Sequence, residues 1–124
     1  MVLIIGGAYQ GKLDYAKRAY GLSDEDIFTC GGMEIDFSKR CVYKLEEYVC
    51  ACTQAGADPR AYLEANREKW ADCVFICRDI FCGVVPMEAG QRLWRQETGR
   101  LCQYLSGEAE SVIRMFCGLE QRLK

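Results

Sequence analysis

The sequence predicts an α/β domain built on a small, mostly parallel sheet, and three observations carry that prediction. Short apolar runs, rich in β-branched residues, stand at 2–5, 73–77 and 111–116, as strands buried on both faces require. Segments of helical spacing separate them. Strands alternating with helices favour parallel pairing through right-handed crossovers. The 124 residues suit one domain, 1–124, with no internal repeat and no linker to divide it.

The first strand is predicted at residues 2–5, and Gly6-Gly7 ends it. From Lys12 the positions Leu13, Ala16 and Tyr20 take helical spacing, and Gly21 with Ser23 marks the stop. A second short strand is expected at 27–30, closed by Gly31-Gly32. In "KRCVYKLEEYVCACTQA" the apolar residues Val42, Leu45, Val49 and Cys52 recur at threes and fours, which predicts an amphipathic helix over 39–55 ending near Gly56. Asp58-Pro59 then opens another helix, aspartate as cap and proline at its first position. The apolar run 73–77 reads as a buried strand, with charge returning abruptly at Arg78-Asp79. After a "CGVVP" turn, a helix is expected over 87–105, with Gly90, Trp94, Thr98, Leu101 and Leu105 along one stripe and Gly107 as its stop. A last strand follows at 111–116, and 119–124 reads as a tail, for about four parallel strands in all.

Composition narrows the function. A formal net charge of −2 supplies no basic patch for nucleic acid or an anionic membrane. The opening apolar run is too short for a signal peptide or a membrane span, which places the expected location in the cytoplasm. Nine cysteines are an odd number, mostly set within apolar runs, and read as buried reduced thiols. Their closest pairs, Cys50-x-Cys52 and Cys73-x-x-x-Cys77, lack zinc-knuckle spacing. The chain has no histidine, so imidazole chemistry is excluded and acid–base work falls to carboxylates, lysine, tyrosine or cysteine.

One motif points to chemistry. Gly6-Gly7-Ala8-Tyr9-Gln10-Gly11-Lys12 satisfies G-x-x-x-x-G-K between a strand and a helix. Such a loop gathers backbone N–H groups around phosphate at a helix N-terminus, and its lysine adds a mobile positive charge. The next position normally supplies a hydroxyl to magnesium; here it is Leu13, which cannot coordinate a hard cation. The residues alone leave open a tight turn with no ligand, a nucleotide-binding loop without turnover, and a working phosphotransferase whose magnesium is held by carboxylates and water. Tyr9 and Gln10 would either touch the ligand or face solvent.

Asp79 follows a buried strand and should reach the same sheet edge as the loop, where ligand crevices form in parallel α/β sheets. It reads either as a metal-binding or general-base carboxylate or as a solvated partner of Arg78. Arg92, Arg95 and Arg100 on the long helix would either meet phosphate, which guanidinium grips bidentately, or pair with glutamates such as Glu88 and Glu97.

Taken together, the two ends of the chain resemble the bifunctional adenosylcobinamide kinase/adenosylcobinamide-phosphate guanylyltransferase family of cobalamin biosynthesis. "IIGGAYQGKLDYAK" resembles that family's G-G-x-x-S-G-K-S opening. "CGVVPMEAGQRLWRQETGRLCQYLSGEAESVIRMFCGLEQRLK" is similar to its closing third, with Gly83, Val85, Pro86, Arg92, Arg95, Gly99, Gln103, Gly118, Leu123 and Lys124 at matching positions. The resemblance implies a P-loop NTPase-like three-layer fold and ATP or GTP bound at Gly6, Gly7, Ala8, Tyr9, Gln10, Gly11, Lys12 and Leu13. It further implies a corrinoid alcohol as acceptor and a homo-oligomer. Lys12 and Asp79 are the candidate catalytic residues. Three departures bear on activity. Without histidine the family's guanylyl-histidine intermediate cannot form. Leu13, Gln96 and Cys102 replace an expected serine, aspartate and asparagine. The family's usual strand with its acidic residue is not recognisable before the second helical region, where "KRCVYKLEEYVCAC" stands instead. These changes suggest a reduced relative that either keeps kinase activity or binds a nucleotide or corrinoid as an accessory protein.

Overall fold

The computed structural model describes residues 1–80 and 87–124. The expected "CGVVP" turn, with Gly83, Val85 and Pro86 of the resemblance, lies outside the described residues. Strand β1 (Val2–Gly6) leads through the glycine loop to helix α1 (Lys12–Tyr20), and a 3-10 turn (Asp24–Asp26) leads to β2 (Ile27–Thr29). There follow β3 (Cys41–Tyr43), α2 (Leu45–Ala55), α3 (Pro59–Ala65), a 3-10 turn (Arg67–Trp70) and β4 (Val74–Arg78). Helix α4 (Ala89–Glu108) and the hairpin β5 (Ser111–Phe116) and β6 (Leu119–Arg122) complete the described chain.

The six strands form one sheet in the order β2-β3-β4-β1-β5-β6. Every neighbouring pair is parallel except β5 and β6, which are antiparallel. In β1, Leu3 points to the face covered by α2, α3 and α4, where it packs with Val42, Leu45, Val49, Leu63, Phe75, Leu101 and Leu105. Val2 and Ile4 point to the opposite face with Val74, Ile76, Ile113 and Met115, beneath Ala16 of α1. This alternation is the two-residue period of a strand buried on both sides. The result is a P-loop-like three-layer α/β fold with three helices on one face and one on the other.

Two expectations need correction. The helix expected over 39–55 is a strand followed by a helix, because Lys44 between them takes φ 60° and ψ 50°, a left-handed conformation that interrupts helical winding. Val42 lies three residues before Leu45, a spacing that fits a helix, yet it is buried within β3 beside β4. The strand not recognised at "KRCVYKLEEYVCAC" is therefore β3, and acidic residues follow it at Glu46 and Glu47. The supposed tail is β6, whose exposed residues gave no apolar pattern, so the sheet has six strands instead of about four.

Smaller differences concern the helix ends. Helix α4 starts at Ala89 and runs through Gly107 to Glu108, while Thr98, Leu101 and Leu105 of the expected stripe are buried. Helix α3 has the expected cap, the Asp58 carboxylate accepting from Arg60 N at 3.0 Å with Pro59 at the first position.

Trp70 anchors the three-helix face. It is fully buried, donates from Nε1 to Leu63 O at 2.8 Å, and packs against Phe75 and Tyr104 with ring centroids 5.5 and 6.4 Å away. Trp70→Ala is expected to lower unfolding free energy by about 3–5 kcal/mol, from the cavity and the orphaned carbonyl together. Urea denaturation followed by circular dichroism checks this; a loss below about 1 kcal/mol would contradict the packing described.

Candidate functional site

The glycine loop sits at the carboxyl edge of the sheet because β1 is held on both sides: Gly6 is in register with Arg78 of β4 and Met115 of β5. A Cβ on Gly6 would lie 2.7 Å from Met115 O, closer than any side chain tolerates, so close strand packing requires glycine there. Gly11 takes φ 90°, which L-residues with side chains rarely adopt, and this turns the chain into α1. Asp79 N donates to Gly6 O at 2.8 Å, fixing the start of the segment after β4 against the loop.

Among the described residues, no acceptor engages the amides of residues 7–13, while the first α1 amide with a backbone partner is that of Tyr15, donating to Gly11 O at 3.0 Å. Orphan donors at a helix N-terminus, with the helix dipole behind them, are what an oxyanion seeks. Lys12 reaches back across the loop, donating from Nζ to Gly7 O at 2.5 Å. Burial holds the Lys12 ammonium below its ordinary value and Arg78 pushes the same way; Glu46, Cys77 and Asp79 oppose them. A bound phosphate would favour the charged form of this lysine.

The loop borders a cavity of about 330 Å³, closed by Leu13 and Asp14 of α1, Tyr43, Lys44 and Glu46 at the β3–α2 junction, and Ile76 and Arg78 of β4. Glu46 is the residue that sequence reasoning missed. It is only 3 % exposed; its Oε1 accepts from Arg78 N at 2.8 Å, and its own carbonyl accepts from Trp94 Nε1 at 2.8 Å. It thereby ties α2, β4 and α4 together beneath the cavity. The signal was the Glu46-Glu47 pair directly after a short apolar run, hidden once that run was taken as part of the helix.

Gln10 is a brace. Its Nε2 donates to Ala8 O at 3.3 Å, its Oε1 accepts from Cys117 N at 2.5 Å, and its backbone O accepts from Gly118 N at 3.1 Å. The β5–β6 turn therefore clamps the loop from outside. Tyr9, at φ 59°, points its ring fully into solvent.

The helix arginines are placed elsewhere. None of Arg92, Arg95 and Arg100 lines the loop cavity. Arg92 donates to Met87 O at the start of its own helix, Arg100 pairs with Glu97 at 3.1 Å, and Arg95 and Arg100 border an outer groove with Gln96 and Gln103.

All eight described cysteines are free thiols; Cys82 lies outside the described residues. Burial pushes Cys30 and Cys41 up to about 12, and a hydrogen bond with Cys102, then burial, raises Cys77. Cys117 departs from the expected core placement: it is exposed at the hairpin turn. Among the described residues, no group of three or more cysteine, aspartate or glutamate side chains is placed to hold a metal ion. No helix among them is long and apolar enough to cross a membrane.

A strand, a glycine loop with free amides and a helix, set at the carboxyl edge of a parallel sheet, define the class of P-loop-like α/β proteins. Residues 37–123 match the model of the cobinamide kinase / cobinamide phosphate guanyltransferase family, and the chain belongs to that family. The match spans α2 with Glu46, β4 with Arg78, α4 and the hairpin; the loop at 6–13 precedes it. No curated protein matches the chain.

Gln10→Ala removes the carboxamide clamp and leaves the backbone one. Hydrogen–deuterium exchange at the Cys117 amide should accelerate about tenfold or more while the Val112 and Ile113 amides within β5 keep their protection. Unchanged exchange at Cys117 would show that the clamp carries no weight.

Proposed function

We propose that this chain binds the phosphate chain of ATP or GTP at Gly6–Leu13 and serves in cobalamin biosynthesis as a cobinamide kinase-like protein. The observation that carries the reading is the set of unengaged amides over α1 beside the Lys12 ammonium. Family membership supports a corrinoid alcohol as acceptor. In a phosphoryl transfer, Lys12 would stabilise charge gathering on the transferred group, and Asp79, beside Gly6, would accept the acceptor hydroxyl's proton. Guanylyl transfer through histidine forms no part of the reading, since the chain has none.

A second reading, a nucleotide- or corrinoid-binding accessory protein without turnover, draws on Leu13. Its aliphatic side chain borders the cavity where an oxygen ligand is expected. Titrating ATP and GTP, then assaying phosphorylation of adenosylcobinamide with a coupled enzyme, separates the two. Product formation abolished by Asp79→Asn supports the kinase; saturable nucleotide binding with no product supports the accessory role.

Three outcomes are expected for Lys12. Lys12→Met should weaken ATP binding at least about tenfold, the scale of one charge-assisted hydrogen bond. The wild-type affinity should also fall as pH rises from about 8, where phosphate is fully ionised, toward 10.5, because the free protein loses the Lys12 proton below that ordinary value. The native state holds this proton less tightly than the unfolded chain, so stability without ligand gains from Lys12 as pH climbs through the same window. Calorimetric titration of both proteins across the window checks this: a pH-independent wild-type affinity would refute the lysine's role.

A further inference from the structure

The last strand of the sheet carries a pattern that the fold leaves unused. β6 ends the strand order, so among the described residues only β5 pairs with it and its outer edge has no neighbour. Hydrogen bonding along an antiparallel pair alternates from one residue to the next. Leu123 N donates to Val112 O at 2.8 Å, and counting back from that pair toward the turn, the residues bonded to β5 are Leu123, Gln121 and Leu119. Glu120 and Arg122 therefore turn both N–H and C=O to the outer edge. Beyond them Val112 O also accepts from Lys124 N at 3.3 Å, so two residues oppose one in a bulge that ends the regular edge.

The side chains on this edge sort by sign and polarity. Glu120 and Arg122 share one face of the strand, while Leu119, Gln121 and Leu123 share the other. Phe116 is in register with Leu119, so Phe116, Leu119 and Leu123 make an apolar row at the margin of the sheet, each more than half exposed. Among the described residues, neither Glu120 nor Arg122 forms an ion pair. Arg122 donates to Lys124 O at 3.1 Å and to Ser111 Oγ at 3.2 Å, both at the surface.

We infer that this edge binds the same edge of a second copy of the chain, antiparallel about a two-fold axis at Gln121, so that the two sheets run on as one. Charge selects that register. An axis at Glu120 would set this carboxylate against its own copy, and an axis at Arg122 would set guanidinium against guanidinium; like charges directly opposite destabilise a sheet. An axis at Gln121 sets each Glu120 opposite Arg122 of the second copy, and symmetry makes the pair twice. The outward backbone groups of Glu120 and Arg122 then bond across the edge, and each Leu119 meets Leu123 of the second copy, which joins the apolar rows. Charges on an edge strand commonly keep other strands away. Here they repel in the flanking registers and attract in this one. A strand this short makes a small interface, so the dimer is a weak one.

Sedimentation velocity on the wild-type chain tests it from about 10 μM to about 1 mM, the range in which so small an interface associates. A monomer–dimer equilibrium is expected within that range. Glu120→Lys and Arg122→Glu each set like charges opposite one another twice, and each should weaken the dimer by about tenfold. An equimolar mixture of these two variants should recover the wild-type affinity, because in the mixed pair every charge again faces its opposite. The double variant Glu120→Lys/Arg122→Glu should recover it too, for the same reason. Recovery by chains that carry the same substitutions excludes misfolding as the cause of the loss. A wild-type chain that stays monomeric throughout would overturn the inference. So would single variants that associate like wild type, which would put the contact on another surface, and so would failure of either the mixture or the double variant to recover.

Discussion

Everything at the site depends on β1 being hydrogen-bonded along both edges. Val2–Gly6 runs in register with β4 from Val74 to Arg78 and with β5 from Ser111 to Met115. A strand with a neighbour on each side has no freedom to slide, because a shift of one residue would turn Leu3 and Ile4 to the wrong faces of the sheet. Gly6 is therefore delivered to one point at the sheet edge, and the turn after it has the same origin each time the chain folds. The amides that follow stay unengaged because that turn runs directly into a helix whose first donors have no partners by construction.

The hairpin at the carboxyl end serves the same loop from the other side. All four residues of β6 are exposed, so the strand contributes little burial. What it supplies is a turn, with Cys117 at φ 52° and Gly118 at φ 77°, whose two amides both donate to Gln10. A loop rich in glycine loses more conformational entropy on ordering than other segments. Clamping it through Gln10 removes part of that cost before any ligand arrives, which is how preorganisation raises affinity.

Glu46 links the third side. One carboxylate oxygen takes the amide of Arg78, and the backbone carbonyl takes the indole of Trp94, so α2, the end of β4 and the first half of α4 share a single buried residue. A carboxylate this enclosed is stable only when hydrogen-bonded, and it stands among the cations Lys12, Lys44 and Arg78. The same short stretch, Tyr43 to Glu46, carries both the strained lysine and the buried glutamate. The change from strand to helix across the single residue Lys44 is what brings this lysine and Glu46 to the lining of one cavity.

The elements with a local cause were legible: the apolar runs of β1, β4 and β5, the Asp58-Pro59 cap of α3, and the glycine loop that turns into α1. Chain-local chemistry decides these, since strand burial, proline geometry and glycine's access to positive φ are properties of a few adjacent residues. The sequence by itself also determined that these 124 residues supply no imidazole and that Leu13 stands where an oxygen ligand is expected. Strand β3 escaped because its three residues share helical spacing with α2, and β6 escaped because an exposed strand has no apolar signature. Only the tertiary structure decided that Glu46, Lys44 and Arg78 meet Lys12 around one cavity, and that Arg92, Arg95 and Arg100 do not. Those meetings depend on the strand order β3-β4-β1, and a pairing order joins residues far apart in the chain whose local patterns carry no record of one another.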